Sequence, residues 1–385
     1  MIYLDNAATT PILTEVWQEM QPWVSGNVIG NPSSLHSAGR AARKEIQKAR
    51  ESVATLIGTF LADEIIFTSG GTESDNLALR GMVPYLKKSG RNGVVVSAIE
   101  HHAILNQCEL LSDMGMGVYI VPVNSDGLID IGMLRQTLQQ SSIGLVSIML
   151  ANNETGVIQE NMADIAEICH NNGAILHTDA VQAVGHMDIN VQSLGVDMLS
   201  LSGHKFGGPD GIGALYARSG VIERLSPIIL GGGQEHGNRA GTENVSAIVG
   251  LGAAARMVGS YNLPKYSLDL RQLFIKTLKY YDIDFSVNSD DVPHLSNILS
   301  LTFPNVGAEA LLHLMDADGV CMSAASACSA GSLNPSHVLT AMGRSAISAG
   351  STVRISFGAY NTRFEVERAA VITAKNVSRL RAMYG

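Results

Sequence analysis

Five short stretches carry side chains whose types and spacing could do chemistry. Lys205 stands in "SLSGHKFGGPDGIG", after an apolar run and before a glycine-rich turn. An amine there is either a solvated surface lysine or a nucleophile whose pKa falls as it is desolvated. In "HTDAVQ", Asp179 ends another apolar run and Gln182 follows three residues later. An acid in that place suits a metal, a ribose or a protonated ring nitrogen, and the metal is the least supported because no His or Cys cluster accompanies it in sequence. "FTSGGTES" puts Gly71 and Thr72 between a strand and a helix, where free N–H groups accept a phosphate or the turn simply caps the helix. It is neither a Walker loop nor a G-x-G-x-x-G turn. His101 in "AIEHHAILNQ" is a helix-end hydrogen bonder or a flat ring to stack upon. Cys328 in "SAASACSAGSLNP" sits among small residues; free cysteines are usually buried, so this thiol is a surface leftover or a nucleophile that must move.

Jointly, a phosphate nest, a carboxylate for a pyridinium nitrogen, an amine for an aldehyde and a ring to stack describe a pyridoxal phosphate site. The elements that must position them alternate along the chain. "EIIFTS", "GVVVSA", "GVYIVPV", "GLVSIMLA", "AILHTDA", "VDMLSLSGHK" and "GIGALYAR" read as buried strands separated by helical patterns. That rhythm predicts an α/β fold with a mainly parallel sheet covered on both faces, and ligands beyond the strands' C-terminal ends. After residue 250 the texture changes to a long helical stretch, strand-like "LSNILSLTF", helical "AEALLHLMDADG", strand-like "TVRISFG" and a terminal helix. A large domain over residues 15–259 is expected, with a smaller α+β domain from 1–14 and 260–385 carrying a loop at 322–335.

The chain has 385 residues, 46% of them hydrophobic and 16% charged, as in ordinary globular proteins. A formal charge of −9, without clustered Lys and Arg, argues against general nucleic-acid binding. "MIYLDNAATT" shows no leader pattern and no apolar run reaches a membrane span, so a cytoplasmic protein is expected. The four cysteines, Cys108, Cys169, Cys321 and Cys328, form no C-x-x-C pair, and no metal ligand set is expected. Cys108 and Cys169 lie in helical patterns and read as core; Cys321 follows "DADGV" in a strand-like segment and reads as structural.

The motifs "YLDNAATTP", "GNPSSLH", "TSGGTESDN", "EHHAI", "ANNETGV", "HTDAVQ", "SGHKFGGPDG", "NRAGTEN", "SAASACSAGSLNPSHVL" and "VRISFG" run over nearly the whole chain. In them the sequence resembles the NifS-like cysteine desulfurases, pyridoxal phosphate enzymes of the aspartate aminotransferase fold type (fold type I), in their long catalytic-loop group. The resemblance implies a seven-stranded sheet and the conversion of L-cysteine to L-alanine with a persulfide left on Cys328. It implies that Lys205 holds the cofactor covalently, Asp179 pairs with the ring nitrogen, and Gln182 and Asn153 contact the ring hydroxyl. His101 would stack on the ring and shuttle protons, while Gly71, Thr72, Ser202 and His204 hold the phosphate. Thr242 would reach the phosphate of a neighbouring subunit in a homodimer, and Asn31 and Arg354 would clamp the substrate carboxylate. The sulfur would pass to an acceptor protein, for iron-sulfur clusters or for tRNA or cofactor thiolation. Related readings are a class V aminotransferase or selenocysteine lyase without the thiol chemistry, and a cofactor-binding scaffold without turnover. The chain departs from the pattern at Asp210, where Lys is usual, at Gly207, where a bulky residue is common, and after "RLRAMYG", where housekeeping members carry a longer scaffold-docking tail.

Overall fold

The structure is a computed structural model that describes residues 1–324 and 335–384. Cys328 lies outside the described residues. The seven predicted strands form one sheet in the order Ile65–Thr68, Gly213–Ala217, Met198–Ser202, Ile175–Asp179, Ile143–Ser147, Gly93–Ser97, Gly117–Val121. Gly213–Ala217 runs antiparallel to both neighbours, and the remaining pairings are parallel. All but the edge strand Gly117–Val121 are buried throughout, which is why they read as continuous apolar runs.

Successive residues of each strand feed opposite faces. Ile65, Phe67, Val95, Val146, Leu199 and Leu201 pack into one core, whereas Ile66, Val94, Val96, Leu145, Met198 and Leu215 pack into another. Helix Ser37–Ile57, capped by the His36 ring at its start and by left-handed Gly58 (φ 74°) at its end, lines the first core with Val245–Met257. Helix Gly71–Lys88 lines the second.

A four-stranded antiparallel sheet follows, in the order Ser323–Ala324, Thr352–Ser356, Ile298–Thr302, Ser286–Val287. Its core holds Phe274, Leu299, Leu301, Phe303, Ile355 and Phe357 beneath helices Leu263–Tyr280, Ala308–Ala317 and Arg363–Tyr384. The first residues of the chain join this second body: Ile2–Tyr3 pairs in parallel with Val320–Cys321, and Leu4 is fully buried there. The chain then crosses to the large sheet, where Thr10 N–H donates to His204 O at 2.9 Å and Leu13 N–H to Gly207 O at 3.0 Å.

Candidate active site

Thr68, Ser97, Ser147, Asp179 and Ser202 end strands that run in one direction, and the segments after them open a cavity of about 320 Å³. A parallel sheet leaves its ligand site at this edge. Ten of the residues singled out above line that cavity: Gly71, Thr72, His101, Asn153, Asp179, Gln182, Ser202, His204, Lys205 and Arg354. Asn31 and Thr242 do not; both are exposed, and Thr242 lines a separate hollow with Arg239 and Glu243. Cys321 is half-buried in its short strand.

Lys205 ends the single helical turn Gly203–Lys205 that follows strand Met198–Ser202. Its Nζ donates to the carbonyls of Ala7 at 2.8 Å and Ala8 at 2.7 Å, which hold the amine at the cavity. The buried His186 ring donates to the Lys205 carbonyl at 2.9 Å, and burial keeps that imidazole below its ordinary pKa. Gly207 sits at φ 85°, and a Cβ there would stand 2.5 Å from Leu13 Cγ, so this turn packs only with glycine.

Helix Gly71–Lys88 starts at the cavity, so its first-turn N–H groups lack helical acceptors and suit an anion. A Cβ on Gly71 would lie 2.5 Å from Val181 Cγ2; only glycine permits this approach. Ser202 and His204 line the cavity with them. His204 Nδ1 lies 3.1 Å from Thr9 Oγ1 and 3.4 Å from Asp210 Oδ1. Burial, then the Lys205 charge, push His204 down to about 4, against the pull of Asp210.

Asp179 is buried at its strand end, and Val181 N–H donates to Oδ1 at 2.9 Å. Burial holds its carboxyl up at about 6, outweighing both that bond and the charge of Lys205. Beneath it lie groups that sequence reasoning missed. Asp75 lines the same cavity, and burial together with Asp179 holds it well above the carboxylate range. His177 is 3.7 Å from Asp75 Oδ1, 3.0 Å from Ser200 Oγ and 2.8 Å from Ser147 Oγ; burial pushes its imidazole down to about 3. The only signal for His177 was a polar residue inside the apolar run "AILHTDA". Gln182 Nε2 donates to Ala7 O at 2.9 Å, leaving its buried Oε1 without a partner among the described residues.

His101 caps helix His102–Leu105 by accepting Ala103 N–H at Nδ1, 3.1 Å. That bond puts the proton of the neutral ring on Nε2. Burial, with Lys205 and His102, pushes the ring down to about 4. A second proton at Nδ1 would cost the Ala103 bond. Arg354, from strand Thr352–Ser356, is buried at the cavity; Nη1 donates to Asn153 O at 2.7 Å and Nη2 to Asp5 Oδ1 at 2.9 Å. Asp5 gave no sequence signal of its own.

Buried acids around the site make stability depend on pH. Burial raises Glu100 to about 8, although Ser97 Oγ and Met149 N–H donate to it at 2.5 and 2.8 Å. Buried Glu154, which accepts from Ser336 Oγ, is raised to about 7. The folded chain keeps protons that the unfolded chain releases above about 4.5, so this stabilisation is present at low pH and is lost as pH rises through these values. His177 acts oppositely, but only below its unfolded value of 6.5. The unfolding free energy of the cofactor-free chain, read from urea titrations, should therefore fall between pH 6.5 and 8, by up to about 1.4 kcal/mol per pH unit per proton. Glu100→Gln should flatten the decline; an unchanged slope would remove Glu100 as its source.

The class-V aminotransferase model matches residues 2–369. The chain is 40% identical to the cysteine desulfurase IscS of Dictyoglomus turgidum, over 99% of this chain and 96% of that protein. A solved NifS-like protein superposes with a TM-score of 0.90 at 35% identity, covering 98% of this chain and 99% of its own. The NifS-like protein of Rickettsia africae superposes with a TM-score of 0.87 at 36% identity, covering 99% of each chain. With a shared fold and full-length similarity, the chain belongs to the class-V aminotransferase family and, within it, to the NifS-like cysteine desulfurases.

Proposed function

We propose that this protein converts L-cysteine to L-alanine, taking the sulfur as a persulfide on Cys328 and passing it to an acceptor protein. The observation that carries this reading is the placing of Lys205 Nζ, between the Ala7 and Ala8 carbonyls, in one cavity with Asp179, His101 and Arg354. The residues fit pyridoxal phosphate. The first turn of helix Gly71–Lys88 with Thr72, Ser202 and His204 would take the phosphate, Asp179 the ring nitrogen, Gln182 Oε1 and Asn153 the ring hydroxyl, and Lys205 the aldehyde. When bound, that group supplies an electron sink for bonds at the amino acid's Cα and Cβ.

The chain's own residues do the rest. Arg354 orients the amino acid through its carboxylate. Lys205 Nζ, once released, is the base placed to take the α-proton. Neutral His101 offers a flat ring with its proton on Nε2. The thiolate of Cys328 attacks the substrate sulfur; the S–S bond forms, the Cβ–S bond breaks with its electron pair left on carbon, and that carbon is protonated to give alanine. Cysteine and enzyme thiol thus become alanine and enzyme persulfide, with no external oxidant. Asn31 completes the carboxylate clamp. Thr242, exposed and outside this cavity, serves the phosphate of the partner in a homodimer. The sulfur is delivered to an acceptor protein in the cytoplasm; among the described residues no helix is long and apolar enough to cross a membrane. Purified protein loaded with pyridoxal phosphate and given L-cysteine and a thiol reductant should form alanine and sulfide in equal amounts. Failure to form alanine would leave a scaffold without turnover.

A further inference from the structure

We propose that Asp5 is a resident counter-anion that weakens the hold of Arg354 on the amino acid's carboxylate, so that product leaves the site. The inference rests on the reading that Arg354 binds that carboxylate. Arg354 is only 2% exposed, so water cannot compensate its charge. Its guanidinium donates to Asn153 O at 2.7 Å and to Asp5 Oδ1 at 2.9 Å, while Nε is buried without a hydrogen bond among the described residues. Asp5 is the carboxylate ion-paired with it. Buried Glu154, the residue after Asn153, feels the Arg354 charge but is held up by burial against it and takes the Ser336 hydroxyl. Lys205 adds positive charge at the same cavity.

Asp5 is fixed in place. Its Oδ2 accepts from Ser323 Oγ at 2.7 Å, and its backbone bridges to Ser356. Ser323 is the cross-strand partner of Arg354. Arg354, Asp5 and Ser323 thus form a closed ring of one ion pair, one hydrogen bond and one strand pairing. An arriving carboxylate meets a guanidinium already neutralised by an anion that cannot swing away, and must share it. Substrate and product carry the same carboxylate, so binding strength gained at Arg354 lowers KM without raising kcat and delays release of alanine. A resident anion tempers both.

Asp5→Asn separates charge from positioning, because an amide oxygen can still accept from Nη2. The holoenzyme's cofactor absorbance is titrated with L-alanine and with ethylamine, which is alanine without its carboxylate. Asp5→Asn should lower the Kd of L-alanine about tenfold, equal to about 1.4 kcal/mol, and leave the Kd of ethylamine unchanged. Asp5→Ser also removes the charge, should move the same way, and serves if the amide variant does not fold. Unchanged or weaker alanine binding in these variants overturns the proposal, since a residue that only orients Arg354 would weaken binding when lost. Arg354→Gln tests the underlying reading separately: it should erase the wild-type preference for alanine over ethylamine. If wild type shows no such preference, the carboxylate clamp itself falls.

Discussion

Lys205→Ala is expected to lower alanine formation from L-cysteine by about 10⁴-fold or more, the upper reach of general acid–base catalysis, because base and covalent anchor are lost together. Borohydride reduction followed by mass spectrometry should then find no cofactor attached to the chain. The side chain also donates to the Ala7 and Ala8 carbonyls, and leaving a buried acceptor unsatisfied costs about 1–3 kcal/mol. The urea midpoint must therefore be measured alongside turnover. Lys205→Arg keeps a cation for those carbonyls, but its guanidinium does not deprotonate. It should restore the midpoint and not the activity. Turnover in a folded Lys205→Ala protein within tenfold of wild type would remove this amine from the reaction.

Cys328→Ser should lower alanine formation by about 10³-fold or more while the cofactor stays bound. A thiol of ordinary pKa near 8.5 is about 3% thiolate at pH 7, a deficit of roughly 2 kcal/mol, whereas an alcohol offers essentially no anion to attack sulfur. The other cysteines are poor substitutes. Burial pushes Cys169 up to about 12 and raises Cys108 as well. Cys321 is held in the strand that pairs with Ile2–Tyr3, so Cys321→Ala should leave turnover within about threefold. Mass spectrometry after a single addition of L-cysteine should place the extra sulfur on Cys328 alone. A persulfide on Cys321, or undiminished alanine from Cys328→Ser, would reassign the carrier.

The strands of the large sheet were legible because both faces are buried, which turns each into an unbroken apolar run. The reversed direction of Gly213–Ala217 was not, since a buried strand has the same composition either way up. Lys205, Asp179 and His101 could be found because a polar side chain directly after an apolar run is conspicuous. The groups that hold them could not. Ala7 and Ala8 act through backbone carbonyls, which every residue possesses, and Asp5 acts only because folding brings it to Arg354. Asp75, Glu100 and Glu154 look like ordinary helix and loop acids until burial raises their pKa. Asn31 and Thr242 were named from motifs alone and lie apart from the cavity within one chain.

The crossing of residues 5–10 from one body to the other has a consequence for how the chain acquires its activity. Asp5 meets Arg354 across 349 positions and the Lys205 amine meets Ala7 across 198. Bringing ends together over about 350 residues costs roughly 5 kcal/mol of chain entropy, so such contacts form only after local ones have prepaid most of the ordering. On a ribosome the wait is absolute, because Asp5 emerges 318 positions before Ser323 and 349 before Arg354. The large sheet can be complete, with its lysine in place, long before the segment that holds the lysine's amine is locked down. The reactive centre therefore closes only once Arg354 has emerged, and a chain that stops short of it has no assembled site with which to liberate sulfide.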